Sequence, residues 1–362
     1  MQTVSKRLFI SVIAFVLSLM VPQISLADTL TDIYESAVQN DPVLRAARAN
    51  FNADRENRNI ARGVLLPQLS VSGDYTQSEL NDSSPIFGMG GLIDSDVTSY
   101  NVSLSQAIFD MPSWYSFQSG KALSESARAQ FAADQQSLII RVSEAYFNVL
   151  RAYDNLQTRD AEERAIQRQL EQTRERFEVG LLPVTDVHEA QAVFDDAAVN
   201  SLEARGALNI AFEGLQVLTG QDHKVLAGLR ENFAATNPEP LSNQEWVDFA
   251  IGNNFQLKVA ELGKDAAYNN AKAAASARLP KISGRASYFD SDSDGTRYTS
   301  PFESQQDGHS FVVSVTMPIW MGGSVDAQRR QAKQRSIASD EGYIASKRNT
   351  VQAARSLHQL VL

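Results

Sequence analysis

The sequence predicts a mixed fold in which long α-helices alternate with amphipathic β-strands, and in which the same arrangement occurs twice. A leucine-proline corner at Leu65–Tyr75 ends a polar, alanine-rich helical pattern and begins strict alternation of apolar and polar residues. The same corner returns at Arg278–Tyr288. Each corner leads through a polar segment into a second alternating run. The chain is therefore predicted to be a duplication of helix, strand, loop, strand and helix.

The alternating runs have the length of membrane strands. The second run of each pair covers Tyr100–Phe109 and Phe311–Ile319, which at about ten residues is enough to cross a bilayer when the strand is tilted. Between the first two strands, Asn81–Asp96 has the composition of an exposed loop. Aromatic residues stand near the strand ends, where aromatic belts lie: Tyr75, Tyr100, Tyr288, Phe311 and Trp320.

The N-terminus has the pattern of an export signal. Lys6 and Arg7 precede an apolar run, and small residues that signal peptidase requires end at Ala27. We therefore predict a signal peptide over residues 1–27, with cleavage between Ala27 and Asp28. No later stretch reaches the roughly 18 apolar residues of a spanning helix, so strands would make any membrane crossing.

The composition argues against several classes of protein. The chain contains no cysteine, which excludes disulfides and the acylated cysteine of a lipoprotein. A net charge of -10 argues against nucleic acid as a partner. The four histidines are far apart in the sequence and are expected at the surface: His188, His223, His309 and His358. No catalytic cluster, cofactor site or zinc site is predicted from them.

One acidic motif resembles the first half of a calcium loop, in which alternate carboxylates converge on one cation. It covers Asp290–Gly295, but its twelfth position is Pro301 rather than Glu, and strands rather than helices flank it. We therefore predict an acidic, solvated loop without a high-affinity metal site.

A very long helical pattern follows Ser113 and reaches about Val179, which corresponds to roughly 100 Å of helix. Its seam residues keep coiled-coil spacing, with a phase shift between Leu156 and Ile166: Leu138, Val142, Ala145, Val149, Ala152, Leu156, Ile166, Leu170, Thr173 and Phe177. A second seam of alternate three- and four-residue spacing follows: Val187, Ala190, Phe194, Ala197, Ser201, Ala204, Leu208, Ala211, Leu215 and Leu218. The two patterns predict an antiparallel coiled-coil hairpin.

The turn of this hairpin is predicted at Phe177–Val187. Gly180 suits the left-handed residue that ends a helix, and Thr185 or Asp186 suits the N-cap of the next helix. From the residues alone, a well-capped turn explains this segment.

The repeats are predicted to divide near Pro240. Residues 28–240 form the first repeat, and residues 241–362 form the second. When the repeats are aligned by their strands, Leu362 falls opposite Arg151, so we expect the second repeat to stop before its helical hairpin is complete. Four strands cannot close a membrane barrel, since the smallest barrels need about eight. The chain is therefore predicted to oligomerise.

Several segments resemble the TolC family of outer-membrane efflux and secretion ducts, in the order in which that family has them: Leu65–Leu69, Gln106–Asp110, Ala145–Leu150, Arg176–Leu181 and Thr185–Val187. The similarity runs from about Asp28 to Leu362. It implies a homotrimer whose three sets of four strands form one twelve-stranded barrel in outer-membrane lipid. The long coiled-coil helices would then form a periplasmic tunnel.

The resemblance also implies a function. The chain would be the exit duct of a tripartite efflux pump or a type I secretion system, conducting small molecules or proteins passively and without enzymatic activity. Its implied partners are a periplasmic adaptor, also called a membrane fusion protein, and an inner-membrane pump or ABC transporter. Substrate range and the choice between drug efflux and protein secretion stay open.

The same resemblance assigns roles within the hairpin turn. Val179, Gly180 and Leu181 match the groove where the adaptor docks, and Thr185 and Asp186 match polar residues that hold the periplasmic entrance closed. The constriction residues of the second repeat have no counterpart before Leu362.

Two rival functions come from other classes. A trimeric coiled-coil adhesin with a barrel anchor would also combine four strands with long helices, but it predicts a single barrel segment at the C-terminus. A hydrolase would need a clustered nucleophile and base, which the sequence does not provide. The duplicated strand pairs favour the duct.

Overall fold

A computed structural model describes residues 27–86, 89–229, 239, 242–297 and 300–361. The predicted signal peptide lies outside these residues except for Ala27. The described elements follow the order helix, strand pair, long helical hairpin, helix, strand pair, helix: α1 Leu30–Asn40, α2 Pro42–Asp54, α3 Asn57–Gly63, β1 Gln68–Ile86, β2 Met89–Phe109, α4 Met111–Glu178, α5 Val184–Thr219, α6 Asn243–Asn253, α7 Phe255–Ser276, β3 Lys281–Arg297, β4 Ser300–Thr316 and α8 Ser324–Val361.

The chain divides into two compact units. The first comprises Met1–Leu44 and Ser137–Ala234, and the second comprises Arg45–Gln136 and Ala235–Leu362. These units follow spatial contacts, whereas the predicted repeats at 28–240 and 241–362 follow the order of elements in the sequence.

The first unit is a helical hairpin with α1 packed against α5. The predicted seams are confirmed, because every seam residue is buried or half-buried except Phe177, which is 41% exposed. Polar bonds also cross the hairpin: the Ser201 hydroxyl donates to Asp160 at 2.8 Å, and Arg174 donates to the Gln191 side chain. The α4–α5 hairpin predicted from heptad spacing is therefore present.

A buried ion pair fixes the start of α2 in this unit. Pro42 is the first helical residue, and the carboxylate of Asp41 accepts a hydrogen bond from the Leu44 N–H at 3.0 Å. The same carboxylate lies 2.6 Å from Arg141 Nη2. Burial raises the pKa of Asp41, but the bonds from Arg141, Leu44 and Val43 outweigh burial and leave that pKa below its ordinary value.

The second unit contains a four-stranded antiparallel sheet in the order β1-β2-β3-β4. Strands β2 and β3, which belong to the two predicted repeats, pair directly, with Val102 opposite Tyr288 and Leu104 opposite Ala286. The two predicted strand pairs therefore join into one sheet.

The strands extend well beyond the predicted runs. They contain 17 to 21 residues each, so most of the predicted loop Asn81–Asp96 belongs to β1 and β2. The Asp290–Gly295 motif, predicted as a loop, lies inside β3 and pairs with β2 and β4. Both predictions were wrong because backbone hydrogen bonds continue an antiparallel ladder through polar residues, which hydropathy does not record.

The histidine prediction was wrong in two of four places. His188 and His309 are exposed as predicted, but His223 and His358 are each only 9% exposed. His223 Nδ1 lies 2.8 Å from Asp28 Oδ2, and His223 Nε2 lies 2.9 Å from Thr219 Oγ1. Within the part of the chain that the structure describes, no group of His, Asp and Glu side chains is arranged to hold a metal ion.

Candidate functional site

The first candidate site is the sheet, whose two faces differ sharply in chemistry. We call the face that carries Leu69 the apolar face and the face that carries Ser70 the serine face. The strand register places the following residues together on the apolar face: Leu69, Val71, Tyr100, Val102, Leu104, Tyr288, Phe311, Val313 and Val315. These side chains are between 37% and 74% exposed. A contiguous exposed apolar surface of this kind marks an interface with lipid or protein.

The serine face carries small hydroxyl side chains in rows that run across the strands. Ser70, Ser103, Ser287 and Ser310 are register partners along one row. Their hydroxyl oxygens lie 2.8 Å apart both in the Ser70–Ser103 pair and in the Ser287–Ser310 pair. This face is therefore suited to contact water or polar solutes.

Close packing of aromatic rings over glycines holds the register of the sheet. A Cβ atom at Gly73 would lie 3.3 Å from Tyr100 on the opposite strand. A Cβ atom at Gly308 would lie 2.8 Å from Phe289, its own cross-strand partner. In each pair an aromatic ring packs over the glycine of the neighbouring strand. This contact stabilises the observed strand register over a shifted register.

The second candidate site is the turn between α4 and α5. Gly180 has φ of 79°, its N–H donates to Phe177, and the Leu181 N–H donates to Arg176, both at 2.9 Å. These bonds form a Schellman motif. The left-handed backbone that the sequence predicted for Gly180 is confirmed. The flanking Val179 and Leu181 are 71% and 72% exposed. The turn therefore presents two apolar side chains to solvent.

The N-cap prediction for Thr185 or Asp186 was wrong. The N-cap of α5 is Pro183, which has no side-chain cap bond, and both predicted residues lie inside the first helical turn. Pro183 occupies the cap because its extended backbone ends the turn before the helix begins. The Thr185 hydroxyl lies 3.3 Å from Asp186 Oδ1. The structure thus brings Val179, Gly180, Leu181, Thr185 and Asp186 together on one turn.

The predicted cleavage position lies next to a hydrogen-bonded contact. The Asp28 N–H donates to Val225 at 3.2 Å, and the Asp28 carbonyl accepts from Ala227 at 2.9 Å. The Tyr146 hydroxyl donates to the Ala227 carbonyl at 2.5 Å. Ala27 precedes this contact and is half-buried. Sequence reasoning missed the contact, because residues far apart in the chain form it.

The fold is that of the outer-membrane channel proteins. The solved structure of the outer membrane protein VceC from Vibrio cholerae superposes with a TM-score of 0.69 at 18% identity, covering 88% of this chain and 75% of that one. Among the described residues, no helix is long and apolar enough to cross a membrane.

The chain belongs to the outer membrane efflux protein family, whose model matches residues 33–221 and 246–358. It is 34% identical to the outer membrane protein TolC of Vibrio cholerae serotype O1 over 91% of this chain and 74% of the relative. It is 29% identical to the alkaline protease secretion protein AprF of Pseudomonas aeruginosa over 91% of this chain and 69% of the relative.

These findings confirm the resemblance and the outer-membrane location that the sequence predicted. The chain is an outer-membrane protein of an efflux-channel family. The relatives named above are described as outer-membrane or secretion proteins and not as enzymes.

Proposed function

We propose that the chain assembles as a homotrimer and forms the exit duct of a tripartite efflux pump or a type I secretion system. The observation that carries this proposal is the four-stranded sheet, which has one exposed apolar face and two edge strands. Within the described residues β1 and β4 each pair on one side only. Unpaired backbone groups in lipid cost several kcal/mol each, so the edges need partners.

Closure by other copies satisfies both edges at once. If β1 of one copy pairs with β4 of the next, three copies give twelve strands without a free edge. The apolar face then contacts lipid, and the serine face lines the lumen. The hydroxyl rows supply a wall that hydrates readily.

The hairpin of the first unit supplies the periplasmic part of the duct in this proposal. The turn at Val179–Asp186 is its entrance, because it is exposed and has an apolar tip. Val179, Gly180 and Leu181 are the surface for a periplasmic adaptor, which links the duct to an inner-membrane pump or ABC transporter. Thr185 and Asp186 hold the closed entrance through bonds to a neighbouring copy.

The order of elements supports division into two repeats at 28–240 and 241–362. Each contains helices that lead into a strand pair and a long helix that leaves it. We propose cleavage between Ala27 and Asp28, after which the first repeat begins at the contact with Val225.

Introduced cysteines test the closure, because the chain has none of its own. Ser72→Cys on β1 and Ser310→Cys on β4 are three strand spacings apart within one copy, roughly 14 Å. A disulfide requires Cα atoms closer than about 7 Å, so any bond formed must join two copies. Cysteines placed at positions 308, 312 and 314 on β4, instead of at Ser310, test other registers of β1 against β4 of the next copy.

The expected product of oxidation is a covalent species of three chain masses. A ladder of larger oligomers would show open rather than closed pairing, and a chain that stays monomeric at every position would overturn the proposal. Recording from planar bilayers provides a separate readout, in which the assembled protein conducts ions without added nucleotide.

A further inference from the structure

A cavity lies between the end of β4 and the start of α8. Its volume is about 410 Å³, and its lining includes Arg278, Met317, Pro318, Ile319, Trp320 and Met321. Ile319 is 91% exposed and Trp320 is 80% exposed, compared with 74% for Phe311 on the apolar face. A cavity of this size suits part of a small amphiphilic molecule.

Most residues of the cavity follow the apolar face of β4 directly in the sequence. Phe311, Val313 and Val315 alternate along β4 on that face, and Met317 and Ile319 keep the same alternation past the strand end. Gly322 and Gly323, with φ of 60° and 81°, then turn the chain into α8. Trp320 also lines the cavity just past the end of β4, and the apolar body and N–H of tryptophan favour a membrane interface.

The helix that leaves the cavity carries unbalanced positive charge. Arg278 forms an ion pair with Asp326 beside the cavity, so these two charges offset each other. Arg329 and Arg330 follow Asp326 by three and four residues and share its side of α8. Both are exposed, and neither forms an ion pair within the described part of the chain.

We infer that this cavity and the adjacent arginines form a binding site for an anionic phospholipid, an inference that rests on the proposed contact between the apolar face and lipid. Acyl chains contact Met317, Ile319 and the apolar face. The phosphate lies at Arg329 and Arg330, whose guanidinium groups match phosphate oxygens in pairs. Charge complementarity favours this occupant over a zwitterionic lipid or an apolar protein segment.

Trp320 provides a built-in probe for this site. The chain has three tryptophans, so Trp114→Phe with Trp246→Phe leaves Trp320 as the only fluorophore. This variant is reconstituted in vesicles of phosphatidylcholine that contain increasing fractions of brominated phosphatidylglycerol. A second series uses brominated phosphatidylcholine, and bromine quenches the tryptophan when that lipid occupies the site.

We expect half-maximal quenching at a fraction of brominated phosphatidylglycerol at least about fivefold lower than for brominated phosphatidylcholine. Arg329→Gln with Arg330→Gln should bring the ratio of these two half-maximal fractions close to one. The matched control is Lys347→Gln with Arg348→Gln, which removes the same charge about 27 Å further along α8, beyond the screening length. The control should keep the ratio of the parent.

The outcomes separate the site from the proposed function. Equal quenching by both lipids overturns the phospholipid site but leaves the lipid contact of the apolar face intact. Absence of quenching by either lipid overturns both. If the tryptophan replacements prevent folding, native mass spectrometry of the chain with all three tryptophans measures retained phosphatidylglycerol, and retention unchanged by Arg329→Gln with Arg330→Gln also overturns the site.

Discussion

The seam of the α4–α5 hairpin and the apolar face of the sheet arise from equally regular apolar patterns, yet they lie in opposite environments. Leu170 on α4 and Ala197 on α5 are each 4% exposed, whereas Leu69 and Val71 on the sheet are 69% and 71% exposed. Helix periodicity is satisfied inside one chain, because two antiparallel helices bury each other's apolar residues. The apolar residues that alternate along the strands of this sheet are not buried within one chain.

The difference shows where the stability of each region originates. The hairpin gains hydrophobic free energy from its own core, about 25 cal/mol for each Å² of apolar surface buried. The apolar face gains hydrophobic free energy only when lipid or another copy covers it. Substitutions should therefore act on folding in the first region and on insertion in the second.

The largest effect should come from a charge on the apolar face. Val71→Lys places an ammonium on that face and should cost about 2–4 kcal/mol per copy if the face meets lipid. The adjacent Ser72→Lys places the same charge on the serine face and should change the free energy of unfolding little. Urea unfolding in lipid vesicles measures both variants, and equal losses would contradict the assignment of the two faces.

The next effect should come from the buried ion pair of the first unit. Asp41→Asn leaves Arg141 without its charged partner, and Asp41 is only 1% exposed, so we expect a loss of about 3 kcal/mol. Because the folded pKa of Asp41 is lowered, its contribution is present above the unfolded pKa of about 3.9 and is lost as the pH falls through the folded value.

The free energy of unfolding of the parent chain should therefore fall in acid. That of the Asp41→Asn variant should fall less over the same pH range. Chemical denaturation from pH 7 to pH 2 provides the comparison. Parallel pH profiles for the two proteins would contradict the role of this pair.

A smaller effect is expected at the contact near the predicted cleavage position. Tyr146→Phe removes the hydrogen bond to the Ala227 carbonyl and should cost about 1 kcal/mol. Burial, together with Asp28 and Asp32, raises the pKa of Tyr146, so its hydroxyl remains a donor at neutral pH. Tyr153→Phe is the control, since Tyr153 is 49% exposed. Equal thermal shifts for both variants would contradict the importance of this bond.

The smallest effect on stability is expected in the hairpin turn. Thr185→Val with Asp186→Ala removes no N-cap, so the free energy of unfolding should fall by less than about 1 kcal/mol. If these residues hold the closed entrance in three copies, the open population should rise on the order of a hundredfold. Single-channel recording measures this change.

Gly180→Ala separates the two roles of the turn. Its left-handed backbone should make the alanine variant less stable by about 1 kcal/mol, with no direct effect on the proposed bonds between copies. Destabilisation by Thr185→Val with Asp186→Ala, with unchanged conductance, would return these residues to a purely structural role.

The sequence by itself determined the elements that depend on local periodicity. The hairpin seams, the left-handed Gly180 and the duplicated strand pairs were all predictable, because side-chain period and backbone preference act within a few residues. The family resemblance followed from short motifs in a fixed order.

Only the tertiary structure decided which distant residues meet. The pairing of β2 with β3, the full length of the strands, the bond between Asp41 and Arg141, and the burial of His223 against Asp28 all join residues far apart in the chain. Backbone hydrogen bonds pair polar and apolar residues alike, so the ends of the strands have no hydropathy signal. A buried charge has no hydropathy signal either, because the partner that accommodates it comes from another element.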